Sequence, residues 1–260
     1  MNIILCGIFG FMGQEVIKEV EKDKNSNIVA GVDIKNSNTY ATNCYNSFNE
    51  VKNINADCIL DFSHHLVTKS LLKFAIEKKL PAVICTTGHT VEEREEIKNA
   101  SKFIPIFYSA NMSAGIALLI ESIKKIATLM PNAEIEIIEK HHNRKIDAPS
   151  GTALMIYNEI KNVKNKVFKV AGRNGQSVRD KNEIGIHSIR LGNIIGEHEV
   201  IISTKNESIT LKHETHSRSL FAQGALVACD FITKQTSGLY DMKDLLSSQL
   251  WILQFTDMGI

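Results

Sequence analysis

The run Gly7-Ile8-Phe9-Gly10-Phe11-Met12-Gly13 leaves a chain of this kind few choices of fold. It follows directly on the apolar stretch Ile3-Ile4-Leu5-Cys6, and after it Met12, Val16, Ile17 and Val20 recur at helical spacing. Glycines here let the backbone turn sharply between strand and helix and approach a pyrophosphate closely. The N–H groups at the helix start then bind its negative charge. A second apolar stretch, residues 28–32, runs into Asp33, twenty residues after Gly13, where a carboxylate reaches an adenosine ribose. Strand, glycine turn, helix and acidic strand end together predict a dinucleotide site. The other reading of the same residues is a turn that packs helix on strand, with Asp33 as a strand-end cap.

The alternation continues. Residues 58–62, 82–85 and 104–108 read as buried strands, and residues 66–78 carry a helical pattern. Thr90 followed by Glu93 forms a capping box that opens a further helix. Such apolar strands alternating with helices imply a parallel sheet covered on both faces. After Asn111 the texture changes. A helix is expected over 116–129, a half-exposed strand over 134–139, a helix after Ser150, and three strands between 184 and 211. A helix returns from about Leu220, and the tail to Ile260 is expected to pack back on the first domain. Residues 161–166 and 172–182 read as mobile surface loops.

Charge narrows the function. Thirty Lys and Arg against 29 Asp and Glu give a net charge of +1, so no basic excess points to nucleic acid or an acidic membrane surface. Any anion site must be local. The five cysteines, Cys6, Cys44, Cys58, Cys85 and Cys229, are odd in number, widely spaced and without a CxxC, which argues against a disulfide framework or zinc site and fits a reducing cytosol. The apolar start lacks a basic segment and is broken by Gly7, Gly10 and Gly13, so it does not read as a signal peptide. No apolar run approaches the ~18 residues of a membrane helix. A cytoplasmic protein is expected.

The densest chemistry lies in Glu139-Lys140-His141-His142-Asn143-Arg144-Lys145-Ile146-Asp147-Ala148-Pro149-Ser150-Gly151-Thr152. Two histidines, an arginine and a lysine fall within five residues, and Ser150 then N-caps a helix whose first residues, Gly151 and Thr152, offer N–H groups and a hydroxyl. This suits a carboxylate with a proton donor beside it. On spacing alone a solvated basic face and a metal site stay open. Adjacent strand residues point to opposite faces, however, so His141 and His142 would chelate one ion poorly, and no metal is expected.

The stretch from Glu139 to Ala153 matches the E-x-H-H-x-x-K-x-D-A-P-S-G-T-A signature of the dihydrodipicolinate (4-hydroxy-tetrahydrodipicolinate) reductase family, which the chain resembles over essentially its whole length. Further matches are Asp61-Phe62-Ser63, Thr86-Thr87-Gly88, Ser109-Ala110-Asn111-Met112-Ser113-Ala114-Gly115, Glu183-Ile184-Gly185-Ile186-His187, Gly196-Glu197-His198, Ser217-Arg218 and Gly238-Leu239-Tyr240-Asp241-Met242. The resemblance implies an α/β protein. A Rossmann-type parallel-sheet cofactor domain would take residues 1–111 and 221–260, and an α+β substrate-binding and oligomerisation domain on a mixed sheet would take residues 112–220, with hinges near Asn111 and Phe221. It also implies a homotetramer and a small cyclic dicarboxylate substrate. His141 would be the acid/base and Lys145 its cationic partner, with His142, Gly151 and Thr152 on the substrate. Gly7, Ile8, Phe9, Gly10, Phe11, Met12, Asp33, Cys85, Thr86, Thr87, Ser109, Ala110, Asn111 and Met112 would line the cofactor. The implied reaction delivers hydride to C4 of a conjugated cyclic imine while His141 protonates C3, in diaminopimelate and lysine synthesis.

The sequence departs from the family at four positions. Phe11 stands where many members have Arg, Cys85 where Gly is common, and Leu191 and Asn193 within a common R-G-G-D stretch. Asp33 and Phe11 favour NADH over NADPH, because a carboxylate repels the extra phosphate and no Arg pairs with it; Lys35 pulls the other way. Two other functions compete. A semialdehyde-type reductase of the same fold would need a nucleophilic cysteine in the second domain, and none lies between Cys85 and Cys229. A non-catalytic dinucleotide sensor would have no use for His141, Lys145 and Ser150-Gly151-Thr152.

Overall fold

The computed structural model describes residues 1–23, 25–35 and 43–248. In chain order the elements are β1 (Asn2–Cys6), α1 (Phe11–Lys22), β2 (Asn27–Val32), β3 (Cys44–Tyr45), β4 (Cys58–Asp61), α2 (Thr68–Lys78), β5 (Ala82–Ile84), α3 (Val91–Ala100) and β6 (Pro105–Tyr108). There follow α4 (Ala114–Leu129), β7 (Glu134–His141), α5 (Gly151–Val163), β8 (Phe168–Ala171), β9 (Glu183–Arg190), β10 (Gly196–Ser203) and β11 (Ser208–Thr215). The chain continues through α6 (Ser219–Ile232), β12 (Gly238–Tyr240) and α7 (Met242–Ser247). Two compact units result, one of residues 1–113 with the chain from Arg218, the other Ala114–Ser217. The expected joints lay at 111/112 and 220/221. The tail beyond 248 falls outside the described residues. No described helix is long and apolar enough to cross a membrane.

The first unit is Rossmann-type. Its sheet runs β12-β6-β5-β4-β1-β2-β3 with every pairing parallel. β1 is an interior strand, between β4 and β2, and suits that place because Ile3, Ile4 and Leu5 are apolar on both faces; all three are wholly buried. From β1 the chain builds outward to β2 and β3, then returns to the other side through β4, β5 and β6. The strand order reverses beside β1, so the carboxyl ends of β1 and β4 flank a crevice of the kind that binds ligands in open α/β sheets. α1 buries Val16, Ile17 and Val20, the stripe its sequence predicts, and Gln223 of α6 donates to the buried Glu19 of α1 at 2.9 Å. The Thr90 capping box forms: Thr90 Oγ1 accepts from the Glu93 N–H at 3.2 Å, and Glu93 accepts from the Thr90 N–H at 2.7 Å.

The second unit is built on a mixed sheet, β11-β10-β7-β9-β8. β10 pairs antiparallel with β7 and β11, whereas β7–β9 and β8–β9 are parallel. α4 and α5 cover one face. Ile116, Ile120, Ile123, Ile156 and Ile160 pack there on Ile135, Ile137, Ile184, Ile186, Val200 and Ile202. The period of two along β7 carries this burial on from Ile135 and Ile137 to Glu139 and His141.

Two expectations are revised. β7 runs two residues beyond 139, because Lys140 pairs with Glu197 and His141 with Arg190. Residues 161–163 belong to α5 rather than a loop, since Ile160 is wholly buried and Lys164 anchors the helix end by donating from Nζ to the Ala133 carbonyl. The short strands β3, β8 and β12 have two to four residues, too few for a periodic pattern to show.

Candidate active site

In the first unit the glycine turn does what its composition predicts. Gly7 sits at φ +79°, where a Cβ would lie 2.5 Å from the Phe62 carbonyl oxygen; at Gly13 a Cβ would lie 2.2 Å from the Gly7 oxygen. The Gly7 N–H donates to the Val32 carbonyl at 2.8 Å and the Gly10 N–H to the Gly7 carbonyl at 2.9 Å. The helix therefore begins at Phe11 with no side-chain cap, its first N–H groups left to a ligand or water.

Asp33 acts as the strand-end cap that one reading of its position expects. Oδ2 accepts the Phe9 N–H at 3.0 Å and Oδ1 the Lys35 N–H at 3.0 Å, so the carboxylate caps the turn. It also lines a cavity of about 530 Å³ with Gly7, Gly10, Lys35, Phe48 and His64. Each carboxylate oxygen keeps a second lone pair for a ligand hydroxyl. Ile8 is buried beneath the turn and Phe11 is exposed.

The remaining cofactor candidates gather at neighbouring strand ends. Cys85 donates its N–H to the Asp61 carbonyl at 2.9 Å, and Thr86 Oγ1 accepts the Ser63 N–H at 3.0 Å. Thr87 is exposed. Ser109 follows β6, donates its N–H to the Ile84 carbonyl at 3.1 Å and its hydroxyl to the Asn111 carbonyl at 2.7 Å; Ala110 is exposed and Met112 buried. Burial, and then the Asp61 charge, push the Cys6 and Cys85 thiols well up, so neither is a thiolate nucleophile.

In the second unit a buried network centres on Glu139. Its Oε2 accepts from His141 Nδ1 at 2.6 Å and from Arg190 Nη1 at 2.8 Å; its Oε1 accepts from Arg190 Nη2 at 2.6 Å and from the Ser150 N–H at 3.1 Å. Burial alone would raise this carboxyl, but the His141 and Arg190 hydrogen bonds hold it well below the usual carboxylate range. Ser150 caps α5 by accepting the Ala153 N–H at 3.2 Å, and its hydroxyl meets His198 Nε2 at 3.1 Å. His198 lies edge-on to His141, ring centroids 5.3 Å apart. Burial first, then the neighbouring His141, push His198 down to about 3, so it is neutral.

The other candidates surround this core. Lys145 pairs with Asp147 at 2.8 Å, and its N–H donates to the His142 carbonyl at 3.1 Å. Gly151 and Thr152 form the first turn of α5, and a Cβ added at Gly151 would meet nothing within 4 Å. Here a helix start with its dipole, a cationic lysine and a carboxylate-bonded histidine come from one stretch of chain. That combination has the chemistry to bind a carboxylate and to exchange a proton near it.

The family model described as Dihydrodipicolinate reductase, N-terminus, matches residues 1–112, and that for the C-terminus matches residues 115–246. The chain belongs to the dihydrodipicolinate reductase family. It is 45% identical over 250 residues to the 4-hydroxy-tetrahydrodipicolinate reductase of Clostridium novyi, covering 95% of this chain and 99% of that protein. With the enzyme of the same name from Caldanaerobacter subterraneus it shares 46% over 248 residues, covering 95% and 98%. Its fold resembles that of a dipicolinate-bound dihydrodipicolinate reductase from Paenisporosarcina sp. TG-14, with a TM-score of 0.78 at 23% identity over 93% of this chain and 97% of that one.

Sequence reasoning gave no role to several residues of this family member. Phe48, Ser63 and His64 line the first-unit cavity. Ser63 and His64 follow the carboxyl end of β4, where α/β sheets bind ligands, and that signal was available. Glu139, Arg190 and His198 stood inside quoted motifs without a function. Their proximity depends on β9 and β10 flanking β7, which no local pattern encodes.

Proposed function

We propose that this chain reduces 4-hydroxy-tetrahydrodipicolinate to tetrahydrodipicolinate in diaminopimelate and lysine synthesis. It works in the cytoplasm as a homotetramer, with NADH preferred over NADPH. The observation that carries the reading is the buried Glu139–His141 pair beside the Ser150-Gly151-Thr152 helix start, in a chain that one reductase family matches over residues 1–112 and 115–246.

The first unit is read as the cofactor domain, since its glycine turn leaves a cradle that any side chain would fill. Gly7, Ile8, Phe9, Gly10, Phe11 and Met12 would hold the pyrophosphate and Asp33 the ribose. Cys85, Thr86, Thr87, Ser109, Ala110, Asn111 and Met112 would line the rest. When bound, the reduced nicotinamide supplies a hydride to C4 of the dehydrated, conjugated substrate. His141 supplies the balancing proton to C3, so that the ring gains two hydrogens. Lys145 stabilises negative charge as it develops. The N–H groups of Gly151 and Thr152, with the Thr152 hydroxyl and His142, fix a ring carboxylate. His198, being neutral, adds no positive charge at this end of β7. Oxidation of NADH by the purified protein, supplied with substrate from the preceding synthase reaction, tests the proposal. No substrate-dependent oxidation would overturn it.

Two expected outcomes follow here. Pyridine-2,6-dicarboxylate, a flat analogue of the ring, should compete with substrate and not with NADH. Thr152→Val should weaken that inhibition roughly tenfold, the worth of one hydrogen bond to a charged group, with NADH affinity unchanged. Competition with NADH instead would break the assignment of the two units.

For the cofactor, kcat/KM should favour NADH with measurable NADPH activity. Asp33 lies in the cavity wall beside Lys35, whose ammonium can offset the repulsion of the extra phosphate. Lys35→Ala should therefore reduce NADPH use more than NADH use, and the difference should shrink as salt rises. A wild-type preference for NADPH would contradict the Asp33 argument.

A further inference from the structure

We infer that Glu139 is a positioning residue for the reaction: its carboxylate fixes the proton of His141 on Nδ1, so that Nε2 is the nitrogen that exchanges a proton with substrate, and Arg190 holds the carboxylate in that task. The inference rests on the reading of His141 as the proton donor, but it adds which ring nitrogen acts and what decides it.

Residues two apart on β7 share a face, so Glu139 and His141 emerge side by side, and both are buried there. A carboxylate only accepts hydrogen bonds, so a 2.6 Å contact from His141 Nδ1 requires the hydrogen to sit on Nδ1. The neutral ring is then left with a bare Nε2. When Nε2 is protonated, the adjacent carboxylate stabilises the imidazolium; once that proton passes to a substrate carbon, the ring is neutral and still oriented. The same logic governs the buried acidic residue of hydrolytic triads, where loss of the orienting charge leaves the wrong tautomer.

A fully buried carboxylate needs its own support. Arg190 provides two parallel hydrogen bonds, at 2.6 and 2.8 Å, and the Ser150 N–H a third donor at 3.1 Å. Held this way, the carboxylate does not take the proton from His141. Arg190 also donates to the Asp147 carbonyl at 2.7 Å, tying the network to the segment that carries Lys145. Gly196 on β10 completes the arrangement, for a Cβ there would stand 3.2 Å from His141 Nε2.

The titratable and charged groups around His141 are Glu139 on its own strand, Arg190 on β9 and His198 on β10 with His213 beyond it on β11. Lys145, Asp147 and His142 belong to the segment before α5. Only Glu139 among them bonds the His141 ring in the structure described. The arrangement separates the proposal from a plain structural salt bridge. A fold-only role for Glu139 predicts lost stability when it is changed, with no effect on the tautomer or pH profile of the folded fraction.

The test has two arms. In the first, 15N NMR of histidine-labelled wild-type protein, with His141 assigned by comparison with His141→Gln, should show neutral His141 as the Nδ1–H tautomer. In the second, folded Glu139→Gln should lose kcat by roughly 10- to 1000-fold. It should keep its affinity for pyridine-2,6-dicarboxylate within about threefold, and the alkaline limb of its pH profile should move to lower pH, since the amide no longer stabilises imidazolium. An Nε2–H tautomer in the wild type overturns the inference, as does wild-type kcat with an unmoved profile in the variant. Should Glu139→Gln not fold, the wild-type spectrum decides alone. Absence of wild-type turnover would instead strike at the functional reading, and the tautomer would still be measurable.

Discussion

His141→Gln is expected to lower kcat by roughly 10²- to 10⁴-fold, the range typical of a general acid–base group, while the Kd for NADH stays near that of the wild type. The side chain is buried on the covered face of β7 and bonded to Glu139, so glutamine can keep the volume and part of the hydrogen bonding while losing the proton. Cofactor affinity is a fair control because the glycine turn belongs to the other compact unit. Steady-state kinetics and calorimetric titration of NADH measure the two quantities separately. Near-normal turnover would remove His141 from the mechanism, and a matching loss of NADH affinity would mean that the substitution damages more than the chemistry.

Gly13→Ala should have its effect on the other side of the reaction. The added Cβ would lie 2.2 Å from the Gly7 oxygen and 2.7 Å from the Ile8 oxygen, both backbone atoms of the turn itself. No rotamer relieves such a contact, so the turn or the start of α1 has to move. Overpacking of this kind costs about 1–3 kcal/mol or more. The Kd for NADH should rise by at least about tenfold, because the displaced N–H groups are those proposed to bind the pyrophosphate. Gly151→Ala makes the control. A Cβ there meets nothing within 4 Å, so the variant should melt like the wild type and bind NADH normally. Thermal melts and NADH titrations of the two variants give the comparison, and a Gly13→Ala protein with wild-type Tm and Kd would refute the packing argument.

Much of the first unit was legible in the sequence, because a parallel sheet buried on both faces writes its strands as unbroken apolar runs such as Ile3-Ile4-Leu5. The glycine turn was legible for a related reason: only glycine tolerates the contacts found at Gly7 and Gly13. In the second unit the alternation of β7 could be read, but not the identity of its neighbours. That β9 runs parallel and β10 antiparallel to β7 is a matter of topology, and with it the meeting of Glu139, Arg190 and His198. Asp33 was read as either a ligand group or a cap. Its two backbone hydrogen bonds and its place in the cavity wall make it structurally able to serve as both.

The return of the chain from Arg218 into the first unit bears on how the protein is made. β6 has β5 on one side from the outset, but its other edge is covered by β12, which begins at Gly238. α6, which packs against α1, β4, β5 and β6, comes equally late. From Tyr108 to Gly238 is 130 residues, so at roughly 5–20 residues per second a ribosome needs about 7–26 s to supply the missing strand. For that interval the nascent sheet carries an open edge and an apolar face. Residues 114–217 are contiguous and can collapse as soon as they emerge. The interrupted unit is therefore the one exposed to mispairing during synthesis, and the one for which a chaperone that shields sheet edges would matter.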